Sequence, residues 1–122
     1  MGICKRVKIV IPNCFDKCIV RFVNAGCRVL ISLCKIRPCF SSIGRCEAEL
    51  RALIGPSRKE EGCLTFDLHA SVEQPGSYLL HEVWASREAH TEHLHTLHYL
   101  RWDARKDALV TFRDGTFWKQ IA

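Results

Sequence analysis

Residues 61–99 read EGCLTFDLHASVEQPGSYLLHEVWASREAHTEHLHTLHY, and this segment decides the fold. Its first part, Cys63–Ala70, alternates apolar and polar side chains with the period of two that is typical of a β-strand. Residues 73–76 form a turn sequence with Pro and Gly, and residues 78–85 alternate again. Ser86 can then cap a helix. The segment therefore predicts a β-hairpin followed by a helix, and it holds all six histidines of the chain.

The residues before this hairpin predict one strand and one helix. Residues 28–37 are rich in β-branched and apolar side chains and stop at Pro38, which predicts a central strand. Apolar residues then recur at close to helical spacing over residues 43–54, which predicts a helix. Gly55 and Pro56 should weaken or bend this helix without abolishing it.

The residues after the hairpin predict a second helix and a last strand. The helix capped by Ser86 should continue to about Lys106, with a break near Thr96. Residues 109–121 are again β-like, with a predicted turn at residues 114–115. The resulting order, β-α-β-β-α-β, predicts a ferredoxin-like α+β fold.

Length and charge distribution predict one core domain with an N-terminal extension. At 122 residues the chain has room for a single core. Residues 1–46 hold nine Lys/Arg and one acid, a charge of +8, whereas residues 47–122 hold nine Lys/Arg and twelve acids, a charge of −3. We expect residues 1–26 to be an extension outside a domain of residues 27–122, with short β-prone runs at residues 8–11 and 19–23. A truncated chain that starts at Cys27 is expected to fold.

Cysteine usage and hydropathy indicate a cytoplasmic protein. Seven of the eight cysteines lie in residues 1–46, and none forms a Cys-x-x-Cys pair. Without that spacing or a secretory signal, reduced and partly buried thiols are the expected state. The chain contains no run of about 20 apolar residues and no aromatic RNA-binding signature. We therefore expect no membrane partner and no specific nucleic-acid partner.

Three motifs resemble the antibiotic biosynthesis monooxygenase family. They are EGCLTFDLH at residues 61–69, LLHEVWAS at residues 79–86, and Ala89 followed by HLHTLHY at residues 93–99. The resemblance covers about residues 28–122. It implies a dimeric α+β barrel in which two ferredoxin-like units pack their sheets together. It also implies a cofactor-independent monooxygenase, an oxidoreductase that acts on a quinol or polyketide phenol with O2. The expected partners are therefore a small aromatic or quinol substrate, O2 and a second copy of the chain.

The resemblance and the strand pattern together select candidate site residues. Glu82 and Trp84 share one face of a predicted strand and match the E-x-W of the family. His93 matches a helical histidine of the family, and His69 ends its strand as a candidate base. Histidine suits a proton shuttle because its ordinary pKa is close to neutral pH, and Trp84 adds an apolar wall and an N–H donor. The predicted catalytic residues are His69, Glu82, Trp84 and His93, and the predicted substrate-binding residues are Phe66, Leu80, His98 and Tyr99.

Two other functions compete with this hypothesis. A non-catalytic dimeric module that binds a small ligand would need the same pocket but no base. Haem degradation in a related fold would need an Asn on the first strand and a His late in the second helix, where this chain has Ser32 and Asp103. Haem is therefore disfavoured.

The helical histidines also raise the question of a metal. They pair at i,i+3 spacing, but they lack a His-Glu-x-x-His pattern, and the family requires no metal. No metal or other cofactor is therefore expected. In this interpretation His90 and His95 face solvent.

Overall fold

The computed structural model describes residues 29–122, together with the backbone of Val7–Lys8 (β1) and Phe22–Val23 (β2). The two short strands pair antiparallel, with Val7 opposite Val23. The predicted boundary between the extension and the domain, after residue 26, lies outside the described residues and stays a prediction.

One antiparallel sheet with helices on one face forms the rest. Its strand order is β4-β5-β3-β6, which places β3 in the interior as predicted. The ferredoxin-like α+β prediction is confirmed. The elements are β3 (Leu30–Pro38), a 3-10 turn (Phe40–Ser42), α1 (Ile43–Arg58), β4 (Cys63–Ala70), β5 (Tyr78–Trp84), α2 (Arg87–His93), α3 (Leu97–Leu109) and β6 (Val110–Trp118).

The helix boundaries follow local sequence signals. α1 runs through Pro56 to Arg58, although Pro56 has no N–H to donate to the carbonyl one turn before it. The chain then turns at Gly62, whose φ of 85° is unfavourable for other residues. The Ser86 hydroxyl accepts a hydrogen bond from the Ala89 N–H at 3.1 Å. Thr96 caps α3 in the same way, so the predicted break between two helices is confirmed.

The predicted turn at residues 114–115 is wrong. β6 continues through this position, and Gly115 lies opposite Cys34 in the ladder with β3. An Asp-Gly pair favours a two-residue hairpin turn, but this local preference competes with pairing to another strand. Here β3 offers a partner for nearly the whole length of β6, and the pairing outweighs the local preference.

The sheet has two chemically different faces. The inner face packs on the helices, and on β5 its side chains are all buried. The outer face carries the alternate residues, which are half-buried or exposed. The core on the inner face consists of Leu30, Cys34, Ile36, Cys46, Leu50, Leu53, Cys63, Phe66, Tyr78, Leu80, Trp84, Ala89, Trp102 and Leu109.

A β-bulge lies at the start of the edge strand β4. Cys63 lies opposite Trp84 and Thr65 lies opposite Val83, so Leu64 has no partner on β5. Cys63 and Phe66 are both only 1% exposed although they are three residues apart. The bulge therefore adds one residue to β4 without exchanging the faces of the residues that follow.

The described residues give partial answers on thiols and membranes. Cys34, Cys46 and Cys63 are buried and Cys39 is half-buried, and the reduced state of the thiols stays a prediction. Within the described part of the chain, no helix combines the length and apolar character needed to cross a bilayer.

Candidate active site

Glu82 and Trp84 lie side by side on the inner face of β5. Trp84 is fully buried, and its indole N–H donates a hydrogen bond to Glu82 Oε2 at 2.9 Å. Burial raises the pKa of Glu82 to about 7, although the Trp84 hydrogen bond and the charge of Arg113 act in the opposite direction. A carboxyl with this pKa can hold or release a proton near neutral pH.

His90 is buried at 9% exposure, so the prediction that it faces solvent is wrong. The physical reason is that the cap at Ser86 fixes where α2 begins, and with it the rotation of α2 about its own axis. That rotation points Ala89, His90 and His93 towards the sheet, and all three are buried. His95, beyond the end of α2, is exposed as predicted.

His90 faces the Glu82–Trp84 pair. Its Nε2 lies 3.9 Å from Glu82 Oε2, and its ring lies 6.0 Å from Trp84 and 5.1 Å from Phe117 between ring centroids. Burial and, less strongly, the neighbouring His93 and Arg87 together lower the pKa of His90 to about 4. His90 is therefore neutral at pH 7.

His93 is held by a carboxylate that the sequence did not reveal. His93 is 1% exposed, and its Nδ1 lies 2.5 Å from Oε2 of Glu60. His98 Nε2 lies 2.9 Å from the same oxygen. An ionised carboxylate only accepts, so Nδ1 of His93 carries the proton and Nε2 keeps its lone pair. Burial lowers the pKa of His93, while the bond to Glu60 opposes this shift.

Aromatic rings enclose His93. Its ring centroid lies 4.8 Å from Trp84, 5.3 Å from Phe66 and 5.1 Å from Tyr99. Leu80, buried at 4% exposure, lies on the same strand face two residues before Glu82. The structure thus brings together all four predicted substrate-binding residues with three of the predicted catalytic ones.

The structure separates His69 from this cluster. His69 is exposed near the end of β4, on the outer face, opposite Leu79. Its nearest ring neighbour is His81, at 6.3 Å between centroids. Two residues of β4 separate it from Phe66, but an odd step along a strand reverses the face. His69 therefore points away from Glu82, Trp84 and His93.

A surface cavity adjoins the cluster beside β6. It has a volume of about 340 Å³, and Phe117 is one of its lining residues. The Phe117 ring also contacts His90, and the Arg87 guanidinium lies 5.1 Å from the centroid of that ring. Phe117 therefore stands between this cavity and His90.

Glu60, His93 and His98 have the composition of a metal site. Their ligand atoms lie within 4.8 Å of one another, and two imidazoles with one carboxylate suit zinc or iron. In this structure the hydrogen bonds to Oε2 of Glu60 join the same three groups. The set therefore already acts as a support that fixes the ring of His93.

The sequence of the chain matches a known family. A profile of the antibiotic biosynthesis monooxygenase family matches residues 35–105, which is more than half of the chain. The chain belongs to this family. The matched residues include the whole of the cluster around Glu82 and His93, but not Phe117.

Individual relatives agree with the family. The chain is 41% identical over 64 residues to a Mycobacterium tuberculosis protein named "Putative monooxygenase Rv0793", a match that covers 52% of this chain and 62% of that protein. The aligned part is thus less than two thirds of that relative. The solved structure of Rv0793 has a TM-score of 0.74 and 29% identity, and covers 77% of this chain and 96% of its own. The structure of PA3566 from Pseudomonas aeruginosa has a TM-score of 0.75 and 30% identity, and covers 78% and 96%. The sequence match and both solved structures agree with membership in the family.

Proposed function

We propose that the protein is a monooxygenase that oxidises a small quinol or polyphenolic, polyketide-like substrate with O2 and uses no metal or flavin. The observation that carries this proposal is the buried set of proton-active groups around Trp84. Glu82 has a pKa of about 7, and His90 and His93 are held neutral by burial. Such a set can remove a proton from an electron-rich substrate and return it in a water-poor environment.

The first step in this proposal is deprotonation of the substrate by His93. Its Nε2 is the free basic atom because Nδ1 binds Glu60. Glu60 orients the ring and stabilises the imidazolium that forms. The substrate becomes a phenolate or carbanion, which is electron-rich enough to pass one electron to O2.

The second stage forms and breaks a peroxide. The substrate radical and superoxide combine at carbon, and protonated Glu82 gives its proton to the peroxide. The O–O bond then breaks, a second substrate proton leaves, and water departs as a carbonyl forms. One oxygen atom of O2 enters the product and one enters water, so no external reductant is needed. His90 contacts Glu82 on one side and lies 6.3 Å from His93 between ring centroids, which suits it to return the proton to Glu82.

Substrate binding falls to the aromatic and apolar residues of the inner face. Phe66 and Tyr99 flank His93, and Leu80 adds an apolar surface near Glu82. Flat aromatic substrates suit such walls because ring–ring contacts are favourable at these separations. A substrate that enters from the cavity beside β6 has to displace the ring of Phe117.

The test is oxygen uptake with a panel of hydroquinones and anthrones, in wild type, Glu82→Gln and His93→Gln. Each substitution should lower kcat/KM by at least about 100-fold, the usual contribution of a proton-transfer group. His95→Gln makes the same exchange at an exposed histidine and should change nothing. In wild type, kcat should fall above pH 7 as Glu82 ionises, and Glu82→Gln should lack this limb.

Two outcomes would refute the enzyme hypothesis. One is that wild type consumes no oxygen with any of these compounds yet binds one of them, with an affinity that survives both substitutions. That result would favour the non-catalytic ligand-binding module. The other is oxygen uptake that is unchanged in both variants, which would place the chemistry elsewhere.

The proposal also includes a homodimer in the cytoplasm. The outer face presents apolar side chains that the chain itself leaves partly uncovered, and a patch of this kind usually meets a partner. They are Ile31, Leu33, Leu79, Val83, Phe112 and Trp118. Sedimentation should give twice 14.0 kDa at micromolar concentration. Leu33→Glu should return a monomer, and a wild-type monomer would contradict the dimer.

A further inference from the structure

We propose that Arg113 binds a carboxylate of the substrate, so that the aromatic substrate of the proposed active site is an acidic one. The reaction then acts on a hydroquinone-type ring that carries a carboxylate. The inference rests on the proposed function, because it names the substrate class of that same site. It concerns a residue of β6, which the match to the family does not reach.

Arg113 lies on the inner face of the sheet. It is directly opposite Ile36 on β3, and Ile36 is only 1% exposed and belongs to the core. Residues that face each other across a ladder point to the same side of the sheet. The side chain of Arg113 therefore projects on the side of Glu82 and Trp84, away from the outer face that the proposed dimer covers.

The inner side of β6 is open between Arg113 and Phe117. Gly115 takes the inner-face position between these two residues. Its backbone is not in the left-handed region, and a Cβ atom there would meet only Sγ of Cys34, at the ordinary contact distance of 3.9 Å. Neither the backbone nor the packing therefore requires a glycine. The missing side chain leaves space for a ligand beside Arg113, which is itself exposed and can be reached from solvent.

The charge of Arg113 meets neutral groups within the chain. Its guanidinium interacts with the Cys34 thiol and the Tyr99 hydroxyl. Burial raises the pKa of both groups, against the charge of Arg113, so both are neutral at pH 7. Among residues 29–122, none of the ion pairs includes Arg113. Such a guanidinium is suited to a carboxylate from a ligand, since its planar donors match the two carboxylate oxygens.

Tyr99 sets the distance between this charge and the proposed base. The Tyr99 ring lies 5.1 Å from His93 between ring centroids, and its hydroxyl interacts with Arg113. The base and the guanidinium are thus separated by about the length of one phenol ring. A substrate ring beside Tyr99 can place its reacting hydroxyl at His93 and a carboxylate at Arg113. Hydroquinones with a carboxylate on the ring, or one carbon beyond it, have this size.

The experiment compares two matched pairs of compounds, gentisate with methyl gentisate and homogentisate with its methyl ester. Each pair keeps the hydroquinone ring and differs in the charge. Binding to the full chain is measured by calorimetry under argon, so that no turnover occurs, and oxygen uptake is measured separately. Each acid should bind wild type at least about tenfold more tightly than its ester, in line with a hydrogen bond to a charged group.

Variants assign this preference to one residue. Arg113→Gln should remove the preference for the acids and leave the affinity for the esters unchanged, which also shows that the fold is intact. Arg113→Lys should keep part of the preference, because the charge remains but the planar fork is lost. Arg45→Gln, the same exchange at an exposed arginine of α1, should bind as wild type does. In oxygen uptake, Arg113→Gln should raise KM for the acids and leave kcat nearly unchanged.

The proposal fails if the acids bind wild type no more tightly than their esters, or not at all, or if Arg113→Gln keeps the preference. It also fails if Arg113→Gln lowers kcat equally for acid and ester. Arg113 would then act at the reacting oxygen or on the position of Tyr99. Failure of the proposed function is a different result, namely a preference in binding that depends on Arg113 but is accompanied by no oxygen uptake.

Discussion

The two faces of the β4–β5 hairpin place the same residue types in opposite surroundings. On the inner side, Glu82 contacts His90 in a nearly dry interior, and burial moves both pKa values far from their ordinary range. On the outer side, Asp67 lies opposite His81, and both are only half-buried in the single chain. A single step along a strand thus decides whether an acid–histidine pair is buried in the core or only half-covered by its own chain.

The two faces differ most in how tightly their side chains are packed, and Trp84→Ala is the strongest test of that difference. Trp84 is fully buried and contacts Phe66 and His93. Its truncation should lower the free energy of unfolding by about 3–5 kcal/mol, the usual cost for a buried Trp. Val83→Ala, at the neighbouring outer position that is half-buried in the single chain, should cost about 1 kcal/mol or less in the monomeric Leu33→Glu background. Urea denaturation measures both, and equal losses would remove the distinction between the faces.

The next test uses pH and the buried acid. The pKa of Glu82 is about 7 in the folded state against 4.5 as its ordinary value, so the folded state binds more protons between these limits. Stability from Glu82 is therefore lost as pH rises through that window. Relative to Glu82→Gln, wild type should lose about 3 kcal/mol at most between pH 4.5 and pH 7.5.

His90 and His93 act in the opposite direction. Their pKa values are lowered by burial, so their contribution is complete above pH 6.5 and is lost as pH falls. Both remain in Glu82→Gln, so the difference between the two proteins isolates Glu82. Denaturant midpoints at a series of pH values provide the measurement. A difference that does not vary with pH would show that Glu82 is ionised in both states.

Sequence reasoning recovered the scaffold because the scaffold depends on periodicity. Alternation in β4 and β5 placed Glu82 and Trp84 on one face, and the caps at Ser86 and Thr96 located the helices. These signals are local, and tertiary pairing did not override them. Only at Gly115 did pairing with β3 override a local turn preference.

The rest of the site depends on contacts between residues that are far apart in the sequence, and the periodicity of the sequence does not predict such contacts. Glu60 lies in the turn after α1, and only the folded chain brings it to His93, 33 residues later. His90 was within reach of prediction, since Ser86 at the cap implies that residues 89, 90 and 93 share a buried side. His69 was assigned by its residue type, although its place in the alternation already put it opposite to Phe66.

A smaller effect is expected from Glu60→Gln. The amide can still accept one hydrogen bond, but the charge that binds His93 and His98 is gone. Hydrogen bonds to charged groups contribute about 1.5–3 kcal/mol, and the loss of stability should lie in that range. The pKa of His93, followed by NMR, should fall further because Glu60 now raises it. A rise would mean that Glu60 does not hold the ring. Glu92→Gln, the same exchange at an exposed glutamate, is the matched control.

The smallest effect is expected from the outer ion pair. Arg58 and Asp67 lie 2.6 Å apart, but their side chains are 52% and 42% exposed. A double-mutant cycle with Arg58→Gln and Asp67→Asn should give a coupling of about 0.2–1 kcal/mol that weakens with added salt. A coupling as large as the effect of Glu60→Gln, and insensitive to salt, would show that the outer face is not solvated.

The bulge at Leu64 makes the edge strand unequally tolerant to changes in its length. Deletion of Leu64 would leave Cys63, Thr65 and Phe66 in regular alternation, so every later residue would keep its neighbour on β5. Insertion of one residue between Phe66 and His69 would instead turn the following side chains over, because alternation has a period of two. Relatives are therefore expected to differ in the length of β4 near Leu64, where the loss of one residue leaves both faces of the strand unchanged.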